Sequence, residues 1–182
     1  MCKVIEIITL HIFVFMEDIK NDIHQLFGHK LRLRVSGICF ENESILLIKH
    51  IGVGKTAFLW APPGGGLNFG ETVTECLTRE FLEETGLEIE PQEFLFTNEY
   101  FEFPLHALEL FFKVKVIGGK LKKGIDPEMR AESQIIKDIR FVPFDQIENN
   151  ETDTFHSLFQ NFKKKLDFET STGFYQNIVR QE

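Results

Sequence analysis

Cysteine is scarce in this chain of 182 residues. There are three, Cys2, Cys39 and Cys76, with no CxxC pair and no metal-ligand spacing. So sparse and odd a set excludes a disulfide framework and fits a reducing compartment, the cytoplasm. Cys39 and Cys76 read as small buried hydrophobes. Basic charge is short as well: 20 Lys and Arg against 28 Asp and Glu leave a formal net charge of −8. A surface of that sign is repelled by phosphate backbones, so no nucleic-acid duplex is expected as a partner. Long apolar runs are missing. The nearest, "MCKVIEIITLHIFVFM" at 1–16, is too short to cross a bilayer and carries Glu6 and His11. It offers only Lys3 as a basic n-region, and no small-residue cleavage site follows. No membrane partner is expected. Trp and Tyr number only 1 and 2, whereas Phe numbers 20, which points to a Phe-rich core.

What is present is an ordinary globular mixture, 43% hydrophobic and 26% charged, of a length that suits one domain. Residues 1–29 read as an N-terminal extension and a short helix near 17–27. The first fifteen are taken as dispensable, with an edge strand as the alternative. Residues 30–148 read as the main domain. There "KLRLRVSGICFE" alternates Leu31, Leu33 and Val35 inward with Lys30, Arg32 and Arg34 outward. It forms a hairpin with "ESILLIKH" around Glu41, Asn42 and Glu43. A short "AFLWAPP" run leads to the turn "GGGLNFGE" and then to a helix. Two long β-type runs flank Pro104, and "IIKDIRFVP" and "FDQIENN" give a strand and a helical turn. Residues 149–182 read as a C-terminal helix and tail packed on the same domain, because Phe155, Leu158, Phe159, Phe162 and Leu166 recur at helical spacing. Lys163, Lys164 and Lys165 are its solvated face. Interleaved strands and helices, with hairpins as well as crossovers, give an α/β domain with a mixed sheet.

"GVGKT" at 52–56 imitates the end of a phosphate-binding loop. Lys49 stands where that pattern needs its first Gly, and the segment runs into a strand rather than a helix. A hairpin loop with a basic tip suits it better, with Lys55 as a candidate contact for substrate phosphate.

The helix after the Gly-rich turn carries the functional signal. Thr72 and Glu75 form a capping box, and Gly86 stands where a left-handed residue ends the helix. At about 100° per residue, Glu80, Glu83 and Glu84 fall within an arc of about 100° centred on the apolar stripe of Val73, Cys76 and Leu77. Arg79 points elsewhere. A helix end emerging into solvent is the plain explanation, but it calls for Glu/Lys pairing across turns, and none is present on this face. Three stacked acids repel one another unless a cation sits among them, and oxygen ligands suit Mg²⁺ or Mn²⁺. Gly64, Gly65, Gly66 and Gly70 precede the helix and allow backbone to fold closely over the carboxylates.

The span Gly65 to Leu87, "GGLNFGETVTECLTREFLEETGL", resembles the 23-residue signature of the Nudix hydrolases. Gly65, Glu71, Arg79, Glu80, Phe81, Glu83, Glu84, Gly86 and Leu87 fill its specified positions, Phe81 being aromatic where aliphatics are commoner. The resemblance implies an α/β/α sandwich and metal-dependent hydrolysis of a nucleoside diphosphate linked to another group, ADP-ribose or a nucleotide-sugar-like compound being favoured. It implies that Glu80, Glu83 and Glu84 bind Mg²⁺ or Mn²⁺ with the backbone carbonyl of Gly64. One of the acids would help to activate water. Arg79 is carried over with them into the catalytic set, and Arg79 and Glu71 would hold the loop against the helix. A later acid, Glu128 or Glu132, would complete the metal site. Trp60, Phe69, Phe101, Phe103 and His106 are candidates for a base or sugar pocket, each also readable as packing. The implied partners are a small-molecule nucleotide and a second copy of the chain. The competing reading is a nucleotide-binding sensor that does not cleave; the intact acids argue against it. RNA decapping fits poorly with the acidic charge.

Overall fold

The computed structural model describes residues 2–54, 56–148 and 152–179, with side chains among them from Val14 onward except Thr152. The chain runs through α1 (Cys2–Phe27), β1 (Leu31–Ile38), β2 (Phe40–Glu41), β3 (Ser44–Ile51), β4 (Phe58–Ala61), β5 (Gly64–Gly66) and α2 (Val73–Thr85). It continues through β6 (Leu87–Glu102), β7 (Leu105–Gly119), β8 (Ile136–Pro143), α3 (Phe144–Glu148), α4 (Lys165–Thr170) and β9 (Gly173–Val179). One sheet has the order β5-β1-β7-β6-β9. Within it β1 is parallel to β7 and antiparallel to β5, and β6 is antiparallel to β7 and parallel to β9. The second sheet is antiparallel, with β2, β4 and β8 all paired to β3. The architecture is α/β with a mixed sheet, as the interleaving implies.

Phenylalanine builds the core between the sheets. Phe96 stacks on Phe111 at 4.8 Å and on Phe162 at 4.4 Å, and Phe162 meets Phe168 at 4.6 Å between ring centroids. Ile38, Ile45, Leu47 and Val142 close the cluster from both sheets. A second cluster fastens α2: Cys76, Leu77 and Phe81 pack on Val35, Leu46, Leu87 and Val114. Cys39 and Cys76 are free and buried in it. The third joins Ile19 and Ile23 of α1 to Ile48, Met129, Ile135 and Ile136.

Several sequence expectations change. The run at 30–41 serves both sheets: its first eight strand residues enter the mixed sheet, and only β2 forms the hairpin with β3. Along β1 the phase is inverted at the start, with Leu31 and Leu33 60% and 39% exposed while Arg32 and Arg34 turn inward. Alternation marks two faces but does not say which is covered. The Gly run is a strand, paired to β1 through Arg34↔Gly66, Val35↔Gly65 and Ser36↔Gly64. Residues 2–15 extend α1 and form no edge strand. The C-terminal periodic run is broken into 3₁₀ turns at Thr152–Thr154 and Ser157–Gln160 followed by α4. Phe155, Leu158, Phe159 and Phe162 are buried there by contact with the sheets, whereas Leu166 is exposed. The tail after α4 is a strand, β9, paired in parallel with β6. The two long runs around Pro104, β8 and α3 stand where expected, and Asn149 and Asn150 lie outside the described residues. No described helix is long and apolar enough to cross a membrane.

Candidate active site

Local chemistry sets both ends of α2. The Glu75 N–H donates to Thr72 Oγ1 (3.3 Å) and the Thr72 N–H donates to Glu75 Oε2 (2.8 Å). Gly86 ends the helix at φ 69°, and its N–H donates to the Leu82 carbonyl. The helix therefore has a fixed start and register, and its inward side is Cys76, Leu77, Glu80, Phe81, Glu84 and Thr85. Two carboxylates lie on that side, 6% (Glu80) and 4% (Glu84) exposed, and Glu83 lies at its border.

β5 passes directly over them. The Gly64 N–H donates to Glu84 Oε2 (2.9 Å), and His50 Nε2 stands 3.9 Å from Glu84 Oε1. A Cβ on Gly65 would overlap the Glu80 carboxyl, so any other residue there would force that carboxyl or β5 to move. Burial, followed by the charge of Glu84, pushes the Glu80 pKa up to about 7. Arg79 and Arg34 oppose that rise in part.

Arg79 does not point away from the acids. Its Nε and Nη2 donate to the two Glu71 oxygens (2.7 and 2.9 Å), and Nη2 also donates to the Gly66 carbonyl (3.2 Å). Nη1 donates to Glu80 Oε1 (2.8 Å) and Glu83 Oε2 (3.1 Å). The long side chain curls back along the helix, which an angular count at the backbone misses. Its hydrogen bond holds Glu71 down to about 2, and Glu71 in return raises the Arg79 pKa.

The acids open into a cleft of about 650 Å³. Gly64, Arg79, Glu80, Glu83, Glu84 and Glu128 all line it, so the sequence-derived catalytic and metal set converges. Glu128 faces the cleft through Arg32, whose Nη2 is 3.4 Å from its Oε2. Glu132 is exposed on a 3₁₀ turn and is not among the lining residues, so position favours Glu128. His106 lines the cleft, held by Glu99 Oε1 at 3.0 Å. The other substrate candidates do not. Trp60 is core, 5% exposed, with Arg140 stacked over its ring at 4.7 Å. Phe69 is fully exposed on the loop before α2. Phe101 packs edge-on against His106, and Phe103 against His29. Lys55 lies outside the described residues.

Sequence reading missed His50, Asp126, Glu109, His156 and Asn177, and had Arg32 and Arg34 pointing outward; all seven line the cleft. Arg34 Nη2 donates to the Gly64 carbonyl (3.0 Å). Burial pulls the Arg32 pKa down to about 10 and raises that of Asp126. One signal was available: Glu109 is a lone acid in the apolar run "LHALELFFKV".

Among the described residues no three Asp, Glu, His or Cys side chains close on one point as they stand. Glu80 and Glu83 are turned onto Arg79. Their donor set, carboxylate and carbonyl oxygen alone, nevertheless fits a hard divalent cation.

A family model described as the NUDIX domain matches residues 30–161. An ADP-ribose pyrophosphatase of Methanocaldococcus jannaschii is 35% identical over 111 residues, 60% of this chain and 63% of that protein. An 8-oxo-dGTP diphosphatase of Escherichia coli K12 is 36% identical over 84 residues, 46% of this chain and 64% of that protein. The chain thus spans a little under two thirds of the length of either relative. Among solved structures, a NUDIX hydrolase from Nitrosomonas europaea matches with a TM-score of 0.60 at 22% identity, over 72% of this chain and 84% of that one. An ADP-ribose pyrophosphatase from Streptococcus suis matches with a TM-score of 0.52 at 18% identity, over 79% and 98%. With the family model covering most of its length, and the acids of the signature gathered beneath β5, this chain belongs to the NUDIX family.

Proposed function

We propose that the protein is a divalent-metal-dependent hydrolase that cleaves the diphosphate linkage of a nucleoside diphosphate joined to another moiety, with ADP-ribose or a nucleotide-sugar-like compound favoured. The observation that carries this reading is the burial of Glu80 and Glu84 under Gly64 and Gly65 at a cleft. The names of the relatives support it, two of those described being ADP-ribose pyrophosphatases.

The Gly64 carbonyl, Glu80, Glu83, Glu84 and Glu128 would hold Mg²⁺ or Mn²⁺, which when bound supplies charge neutralisation and an acidified water. The chain's own residues do the rest. Arg79 and Glu71 brace the loop against α2, and Arg79 guides the two acids it touches. Arg34 fixes the Gly64 carbonyl, and Arg32 adds positive charge on the cleft wall where a phosphate must sit. His106 is the substrate-side candidate retained from the sequence.

A panel of ADP-ribose, other nucleotide sugars, dinucleoside polyphosphates and nucleoside triphosphates, each with Mg²⁺ or Mn²⁺ and with products separated by chromatography, tests the reading. Cleavage of a diphosphate-linked compound is the expected result. No cleavage of any compound would leave the nucleotide-binding sensor. A cytoplasmic setting and a homodimer belong to the same proposal, and light scattering on the purified protein checks the second.

A further inference from the structure

The mixed sheet carries a buried polar chain that ends in the cleft. Glu109 on β7 is 6% exposed. Its Oε2 accepts from Asn98 Nδ2 (2.8 Å), and His156 Nε2 stands 3.2 Å from the same oxygen. His156 Nδ1 accepts the Leu158 N–H (3.2 Å), so the ring proton is on Nε2 and points at Glu109. Burial alone would raise the Glu109 pKa, but His156, Arg34 and Asn98 outweigh it and keep the group ionised. An ionised carboxylate only accepts. Asn98 must therefore turn its NH₂ toward Glu109, which leaves its Oδ1 to accept from Asn177 Nδ2 (2.5 Å). The order of donors is passed along the chain, and neither amide is free to flip.

Asn98 is 1% exposed and lies behind the cleft, whereas Asn177 on β9 lines it. Among the described residues, Asn177 Oδ1 and its second N–H make no further side-chain hydrogen bond. The chain thus presents an oriented acceptor beside a donor, with Tyr100 and Phe155 also on the lining. It sits one side chain from the acidic end: Arg34 Nε is 3.7 Å from Glu109 Oε1 while Arg34 Nη2 holds the Gly64 carbonyl. A structural role accounts for the satisfaction of Glu109. It does not account for a buried charge whose hydrogen-bond chain leads to an open amide edge in the cleft, where an apolar strand residue would serve the fold at lower cost.

We propose that Asn177, oriented by Asn98 and Glu109, reads the nucleobase of the substrate, accepting from a base N–H with Oδ1 and donating N–H to the acceptor beside it. This rests on the reading that a nucleoside diphosphate compound fills the cleft. Asn177 is then the specificity-determining residue, and Asn98 and Glu109 are positioning residues.

Equilibrium binding of AMP, GMP, CMP and UMP against ribose 5-phosphate, all with Mg²⁺, tests it. None of these has an anhydride bond, so turnover does not enter. The wild-type protein should bind at least one mononucleotide about tenfold or more tightly than ribose 5-phosphate. Asn177→Ala and Asn177→Ser should bind the two alike, with ribose 5-phosphate affinity unchanged; a lower melting temperature is expected, because the buried Asn98 Oδ1 loses its donor. Asn98→Ser, which leaves the Asn177 amide present but unoriented, should lower the preference without weakening ribose 5-phosphate. A wild-type protein with no preference for any mononucleotide overturns the proposal, as does a preference retained in both Asn177 variants. A parallel loss of ribose 5-phosphate in those variants overturns it too, because the amide would then be reading the sugar. A preference that depends on Asn177 in a protein that cleaves no diphosphate keeps this proposal and removes the hydrolase reading.

Discussion

Glu83 and Glu84 differ in burial but share the proposed metal-binding role. Glu84 is held by the Gly64 N–H and approached by His50, while Glu83 is half-exposed and tied to Arg79. Replacing either by Gln keeps shape and removes charge. Turnover of ADP-ribose with Mg²⁺ should fall about a hundredfold or more in Glu83→Gln and in Glu84→Gln, with unchanged circular dichroism. Wild-type-like turnover in either would remove the metal-site assignment. Glu80 adds a pH signature. Its pKa rises from the ordinary 4.5 to about 7 on folding, so the folded state binds its proton more tightly than the unfolded one. Stability of the metal-free protein is full below about pH 4.5 and is lost as pH rises through about 7, by an amount on the order of 3 kcal/mol. Denaturant melts at pH 5 and pH 8 without metal should show this slope, and Glu80→Gln should flatten it. A wild-type slope surviving in Glu80→Gln would mean that another group titrates.

At the scale of the element, α2 combines two jobs that its sequence keeps apart. The N-terminal turn carries the cap on the exposed side, and the last two turns carry the acids. Thr72→Ala removes a cap whose Oγ1 accepts the Glu75 N–H, and should cost about 1 kcal/mol. Thermal unfolding should register that loss while kcat stays near wild type, since Thr72 does not line the cleft. A large fall in kcat would mean that the cap also sets the register of the acids. Gly65 belongs to the opposite case. Gly65→Ala puts a Cβ into the Glu80 carboxyl and should displace β5, so activity should fall further than stability. An active Gly65→Ala enzyme would contradict the close packing of strand on helix.

Across the whole molecule, segments distant in sequence are closed by aromatic packing. Phe162 stacks on Phe96 and touches Phe168 and Tyr175, so it joins the region after β8 to the mixed sheet. Phe162→Ala should destabilise the protein by about 3–5 kcal/mol, read from denaturant melts. A cost below about 1 kcal/mol would show that this region folds without it. A chain beginning at Met16 keeps Ile19 and Ile23, the buried contacts of α1, and should fold with activity intact. Loss of either would make the preceding residues part of the working protein.

Features that depend on near neighbours were legible in the sequence. The box at Thr72 and Glu75, the stop at Gly86, the shared stripe of Glu80, Glu83 and Glu84, and the strands around Pro104 all follow from contacts within a few residues or from a short period. What the strands face was not legible. Arg32 and Arg34 turn inward because the start of β1 borders a cleft, and a two-residue period reads the same with either face buried. The regular spacing of Phe155 to Leu166 looked helical, yet the buried aromatics are pinned by the sheets and the backbone follows in 3₁₀ turns. Trp60 looked like a pocket residue and is core. The acidic face of α2 was therefore determined by its sequence alone, since one helix holds all three acids. The rest of the cleft was decided only by tertiary structure, because Glu109 and His156, or Asn98 and Asn177, meet from positions 47 and 79 residues apart.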